Sequence, residues 1–98
     1  MNAAGIELLA EAQLEIDEAF DWYLLRSARA AQGLLRELDR AMSFIRTSPN
    51  ACSPFEAGTR RLILTTYPYS LVFRQVGQRI EVLALAHHKR RPRYWIGR

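Results

Sequence analysis

Cysteine is nearly absent: Cys52 is the one thiol in 98 residues. A lone thiol closes no internal disulfide and supplies too few donors for a structural zinc site. It lies in a Pro/Ser-rich stretch and reads as incidental. The two histidines, His87 and His88, are adjacent; on a strand they point apart, which makes them a poor metal pair. No metal and no cofactor is therefore expected. No apolar run approaches the roughly 20 residues a bilayer span requires. Met1 to Glu11 holds two acids and no base, so the positive start of a secretory leader is missing. These absences lead to the expectation of a cytoplasmic protein with no membrane contact. Internal repeats are lacking, as is any linker that would separate a second domain, so one domain over residues 1–98 is expected.

Acids are scarce in the second half. Residues 1–48 carry eight acids and five bases, residues 49–98 two acids and nine bases. The last twelve residues, His87 to Arg98, hold five fixed positive charges, two imidazoles, two aromatics and no acid. Such a tail is either a solvated surface that keeps the chain soluble or a face that meets an anion, whether nucleic acid or an acidic protein segment.

What is present is a half-apolar composition, 49% by count, enough for a real core in a chain that buries roughly 60–65% of its unfolded surface. Ile6–Leu9 is a short apolar stretch, an edge strand or a first helical turn. From Ala10 to Leu25 the period is helical, with Ala12, Ile16, Ala19, Phe20, Tyr23 and Leu24 on one stripe and Glu11, Glu15 and Glu18 on another. Ser27 can cap a second helix over Ala28–Thr47, whose stripe is Ala31, Leu34, Leu35, Leu38, Ala41, Met42 and Ile45. Gly33 in that helix suggests close approach of the first helix. The two make an antiparallel hairpin, ended by Pro49, and residues 49–58 read as loop.

Arg60–Thr66, Tyr69–Val76 and Arg79–Ala86 are rich in β-branched and aromatic residues, divided by Tyr67-Pro68 and Gly77-Gln78. Two-residue loops would set Leu62 opposite Phe73, Arg61 opposite Arg74, Arg74 opposite Glu81 and Leu71 opposite Ala84. One sheet face would then hold Leu62, Leu64, Leu71, Phe73, Val82, Ala84 and Ala86 against the helices. The other, mixed and partly open, would carry Arg61, Thr65, Ser70, Arg74, Glu81 and His87 around Ile63, Val72, Leu83 and Leu85. Like charges across a ladder repel, so either Glu81 neutralises Arg74 in an ordinary ion pair or a guanidinium is left for an external anion. His88 should face the helices and His87 the mixed face, where it can serve as acid or base. Lys89, Arg90, Arg91 and Arg93 form a basic cluster. Tyr94 and Trp95 either stack on bases or fold back as apolar lids.

The fold class is α+β. Two helices ending in SFIRTSP, followed by RRLILTTYPYSLVFRQVGQRIEVLALAHHKRRPRYW, resemble the RelE/ParE superfamily of type II toxins over nearly the whole chain. Arg60-Arg61, Tyr67-Pro68-Tyr69 and His87 with Arg90-Arg91-Pro92-Arg93-Tyr94-Trp95 carry the resemblance. It implies a short N-terminal strand, an antiparallel helical hairpin and a three-stranded antiparallel sheet. It also implies a growth-inhibiting toxin, of the kind that serves plasmid stabilization, neutralised by a cognate antitoxin through which alone it meets operator DNA. One branch of the superfamily cuts messenger RNA on the ribosome; the ParE-like branch poisons DNA gyrase. Ser70 and Ile63 stand where the ribonuclease branch tends to place cations, and the tail looks closer to the ParE-like side. On that reading Arg60, Arg61, Arg74, His87, Lys89, Arg90, Arg91, Arg93, Tyr94 and Trp95 make target or anion contacts. On the ribonuclease reading Arg61, Arg74 and Arg90 hold the phosphate, and His87 or Tyr94 is the base. A degenerate toxin that only binds antitoxin is the third reading.

Overall fold

The computed structural model describes residues 5–98; the parts of the one-domain and no-leader expectations that fall on residues 1–4 lie outside it. The order is β1 (Ile6–Leu8), α1 (Ala10–Leu24), α2 (Ala28–Thr47), β2 (Ser53–Pro54), β3 (Arg60–Ile63), β4 (Tyr69–Val76) and β5 (Arg79–His87). Short 3-10 turns at Pro49–Ala51 and Glu56–Gly58 flank β2. The sheet has five strands in the order β1-β5-β4-β3-β2. The expected N-terminal strand, Ile6–Leu8, joins the three-stranded meander parallel to β5, and the stretch read as loop adds a fifth, β2.

The helices form where their apolar periods place them. Ser27 Oγ accepts the Ala30 N–H at 3.1 Å and opens α2, a cap of the kind worth about 1 kcal/mol. Ala31, Leu34, Leu38, Ala41 and Ile45 are buried, whereas Leu35 is exposed. On α1 the expected stripes need correction. Glu15 is buried beside Ala12, Ile16 and Ala19, and Leu24 is exposed. A close neighbour does explain Gly33, but it is the loop residue Tyr67 rather than α1: a Cβ on Gly33 would stand 2.5 Å from Tyr67 Oη.

Only the first of the two hairpins departs from the minimal geometry expected. At the second, Val76 faces Arg79 across Gly77-Gln78; φ is +62° at Gly77 and not positive at Gln78, which fits a type II′ turn. At the first, the loop runs over residues 64–68, and Leu62 pairs with Leu71, Arg61 with Val72. The cause is Glu37 on α2, whose carboxylate accepts the Thr65 and Thr66 N–H groups and the Thr65 hydroxyl, holding the chain out of the ladder. A two-residue slip preserves the faces, so Arg61 and Arg74 share a side of the sheet without being paired; Arg74 faces Glu81 as expected.

The larger correction lies in β5. Phe73 pairs with Val82 but Val72 pairs with Ala84, leaving Leu83 as an extra residue in a β-bulge. Beyond it every side chain of β5 changes face. Leu85 joins Leu71, Phe73 and Val82 in the core against the helices. Ala84 and Ala86 pass to the opposite face with Val72, Leu83 and Trp95. That face is therefore a second small core closed by the tail, and not an open mixed surface. Cys52, read as incidental, is buried in the main core.

Candidate functional site: the basic tail and the face it covers

After β5 the chain turns back over the sheet. The Arg90 N–H reaches the His87 carbonyl at 3.0 Å and the Ile96 N–H the Arg93 carbonyl at 3.0 Å; Arg93 sits at φ +67° to make that reversal. Trp95 is buried against Val72, Leu83 and Ala84, and its ring meets Phe55 at 5.7 Å. Of the two roles open to Trp95, the structure gives it the lid. The Tyr94 ring is contacted by the guanidiniums of Arg90 (4.0 Å from its centroid) and Arg98 (5.0 Å). Burial, then the nearby Glu15 carboxylate, push the Tyr94 phenol far above its ordinary value.

The tail is anchored on Glu15. β1 covers only the first half of the outer edge of β5. Past it, the Leu85 N–H donates to Glu15 Oε1 at 3.0 Å, and Arg98 donates to the Leu83 carbonyl at 2.9 Å and to Glu15 at 3.1 Å. Arg90 reaches the same carboxylate at 3.4 Å. Side chains thus satisfy an edge that another strand would otherwise have to cover. Burial works against the Arg98 charge, but hydrogen bonding and charge attraction from Glu15 outweigh it and hold its pKa above the ordinary value.

The expected site residues fall into distinct groups. Arg60 is on the helix side, donating to the Cys52 carbonyl at 2.7 Å. Arg74 is ion-paired with Glu81 at 2.9 Å, the ordinary pair allowed for above. Arg93 pairs with Glu56 at 3.2 Å, and Arg90 is held by Glu15. Arg61, Lys89 and Arg91 have no carboxylate partner among the described residues. The histidines exchange roles because of the bulge. His87 packs edge-on to Tyr69 at 5.0 Å, toward the helices, and its Nδ1 accepts the Lys89 N–H at 3.0 Å. His88 faces the tail side, with Nε2 3.0 Å from Ser70 Oγ.

Two hollows flank this region. One, of about 390 Å³, lies between α1 and the ends of β4 and β5, lined by Trp22, Tyr23, Tyr69, Leu85, His87 and Arg90. The other, of about 250 Å³, lies on the tail side and is lined by Arg61, Ser70, His87, His88, Arg91 and Phe55. Sequence reasoning missed Glu15, Ser70 and His88. Glu15 gave no signal beyond a carboxylate every third or fourth position of a helix; Ser70 was placed on the right face but given no role, and His88 was hidden by the bulge. No group of His, Cys, Asp or Glu suited to a metal occurs among the described residues, and no helix there is long and apolar enough to cross a membrane.

Comparison with known proteins agrees with this architecture. Residues 6–92 match the family described as "ParE toxin of type II toxin-antitoxin system, parDE". No curated protein matches. Among solved structures, a chain of the "Chromosomal ParDE TA system from P. aeruginosa" is similar in fold, with a TM-score of 0.78 at 21% identity, covering 89% of this chain and 98% of that one. With its helical hairpin, its sheet and its folded-back basic tail all inside or adjoining the matched span, the chain belongs to the ParE toxin family of type II toxin–antitoxin systems.

Proposed function

We propose that this toxin inhibits growth in the cytoplasm by binding an essential target, DNA gyrase, and that a cognate antitoxin neutralises it. The observation that carries the binding reading is the state of the residues a ribonuclease would need. Arg74 and Arg90 are committed to Glu81 and Glu15, Tyr94 is a phenol held protonated, and His87, which borders the tail-side hollow with Arg61, packs its ring on Tyr69 and has its Nδ1 taken by the Lys89 N–H. Phosphate cleavage requires a base and cations converging on one group. Contact with a partner requires only exposed charge, which Lys89 and Arg91 supply.

The antitoxin supplies the acidic counterpart. A segment that orders on binding must cover a large surface to offset its lost entropy, and the exposed Leu14, Trp22 and Leu24 of α1, with Leu25 just beyond it, offer apolar surface for it. The complex, rather than the toxin alone, would meet operator DNA.

Induced expression with two parallel readouts tests the proposal. Trapped gyrase–DNA cleavage complexes with intact messenger RNA are expected. Cuts in ribosome-bound messenger RNA, or growth unaffected by induction, would reject it in favour of the ribonuclease or the degenerate reading respectively.

A further inference from the structure

The tail-side hollow contains a feature that target binding does not require. Arg61 stacks its guanidinium on Phe55 with Cζ 4.3 Å from the ring centroid. Stacking fixes the guanidinium plane and leaves its N–H edge free to donate in a fork. Arg61 makes no hydrogen bond or ion pair among the described residues, although it is half-buried. The Ser70 side chain, only 3% exposed, holds the exposed His88 imidazole at 3.0 Å. Arg91 closes the rim of the same hollow.

Charge count and shape narrow what could sit there. Glu56 is the one acid lining the hollow, and Arg93 neutralises it. Arg90 is neutralised by Glu15. Two guanidiniums, those of Arg61 and Arg91, remain uncompensated, which suits a dianion better than a single carboxylate or a phosphodiester. The aromatic rings are already contacted, Phe55 by Arg61 and Trp95 and Tyr94 by Arg90 and Arg98. These contacts compete with stacking by a base, so recognition rests on the anion.

We infer that this hollow is a binding site for a phosphate dianion, free or as the monoester end of a small molecule. Arg61 donates the fork, Arg91 closes over the anion, and His88 adds a third donor positioned by Ser70. The inference does not depend on the identity of the toxic target.

Backbone amide chemical shifts of the full chain, titrated at fixed ionic strength with inorganic phosphate, a nucleoside 5′-monophosphate and dimethyl phosphate, provide the test. Saturable shifts confined to residues around Arg61, Ser70 and His88 are expected with the first two. Equal affinity for them would place recognition in the phosphate alone, and tighter binding of the nucleotide would identify the monoester as the better source; both support the site. Arg61→Gln and Arg91→Gln should each weaken binding at least tenfold, and Arg29→Gln on α2 should not. Arg91 is exposed, so its variant keeps the test valid if Arg61→Gln folds poorly. Unsaturated shifts spread over all basic residues, equal binding of dimethyl phosphate, or equal losses in Arg91→Gln and Arg29→Gln would overturn the inference. Growth inhibition by the native chain, followed separately, distinguishes failure of this site from failure of the proposed toxic action.

Discussion

Glu15 and Arg98 meet at 3.1 Å, joining the first helix to the last residue of the chain. Both are largely buried, and the same carboxylate also receives the Leu85 N–H. A buried acid in the core stripe of an amphipathic helix is unfavourable unless fully partnered. Here its partners are a guanidinium and the open edge of β5, so the contact both tolerates the charge and closes the sheet.

Removing that carboxylate should be far more damaging than its surface-like helical position suggests. Glu15→Ala leaves Arg98 and the Leu85 N–H without their acceptor, a loss of about 3 kcal/mol by analogy with broken buried pairs. Arg98→Met, which leaves Glu15 still bonded by the Leu85 N–H and close to Arg90, should cost less. Denaturant midpoints of both singles and the double variant would measure the coupling; additive losses would show that the two residues do not act together.

Gly33 offers a sign reversal. An exposed helical Gly→Ala change normally stabilises by about 1 kcal/mol. Here the new methyl meets Tyr67 Oη at 2.5 Å, and that hydroxyl is held by the Ala30 carbonyl at 2.7 Å. Gly33→Ala should therefore destabilise the native chain, yet stabilise a Tyr67→Phe background, where the nearest Tyr67 atom left is Cζ at 3.6 Å. Thermal unfolding of the four proteins decides it, and a gain in both backgrounds would refute the steric account.

Glu37 should make stability fall in acid. Burial alone raises its pKa, but hydrogen bonds from Thr65 and Thr66 outweigh burial and leave it below the ordinary value of 4.5. A carboxyl depressed in the folded state contributes its full stability above the unfolded pKa and loses it as pH falls through the folded one. Glu37→Gln should be less stable than wild type by about 1–2 kcal/mol near neutrality. The gap should narrow between pH 5 and the acid limit of folding. Urea titrations across that range test the sign; a constant gap would mean that the charge of Glu37 contributes nothing.

Cys52 should react slowly. Burial raises its thiol pKa, and the nearby Arg60 only partly offsets this. The thiolate is the nucleophile, so labelling by an aromatic disulfide reagent at pH 8 should accelerate at least tenfold on unfolding in urea. Equal rates folded and unfolded would contradict its place in the core.

The sequence was informative wherever one periodicity ran undisturbed. The α2 stripe, the Ser27 cap, the Gly77-Gln78 turn and the pairing of Arg74 with Glu81 all depend on residues near one another in the chain, and local geometry decides them. The shared face of Arg61 and Arg74 followed as well, because a slip of two residues preserves parity. The fate of the tail did not follow. One extra residue at Leu83 reverses every later side chain of β5, exchanging His87 with His88 and Leu85 with Ala84. No pattern in the strand announces it, since both registers bury apolar side chains when the tail supplies a second core. Glu15 and Glu37 likewise look like solvent-facing acids until the fold brings an unpaired stretch of backbone to each. Composition and periodicity settled the elements and the surplus of cations; which cations stay free was decided by long-range partners, because a charge is neutralised by whatever the fold places beside it.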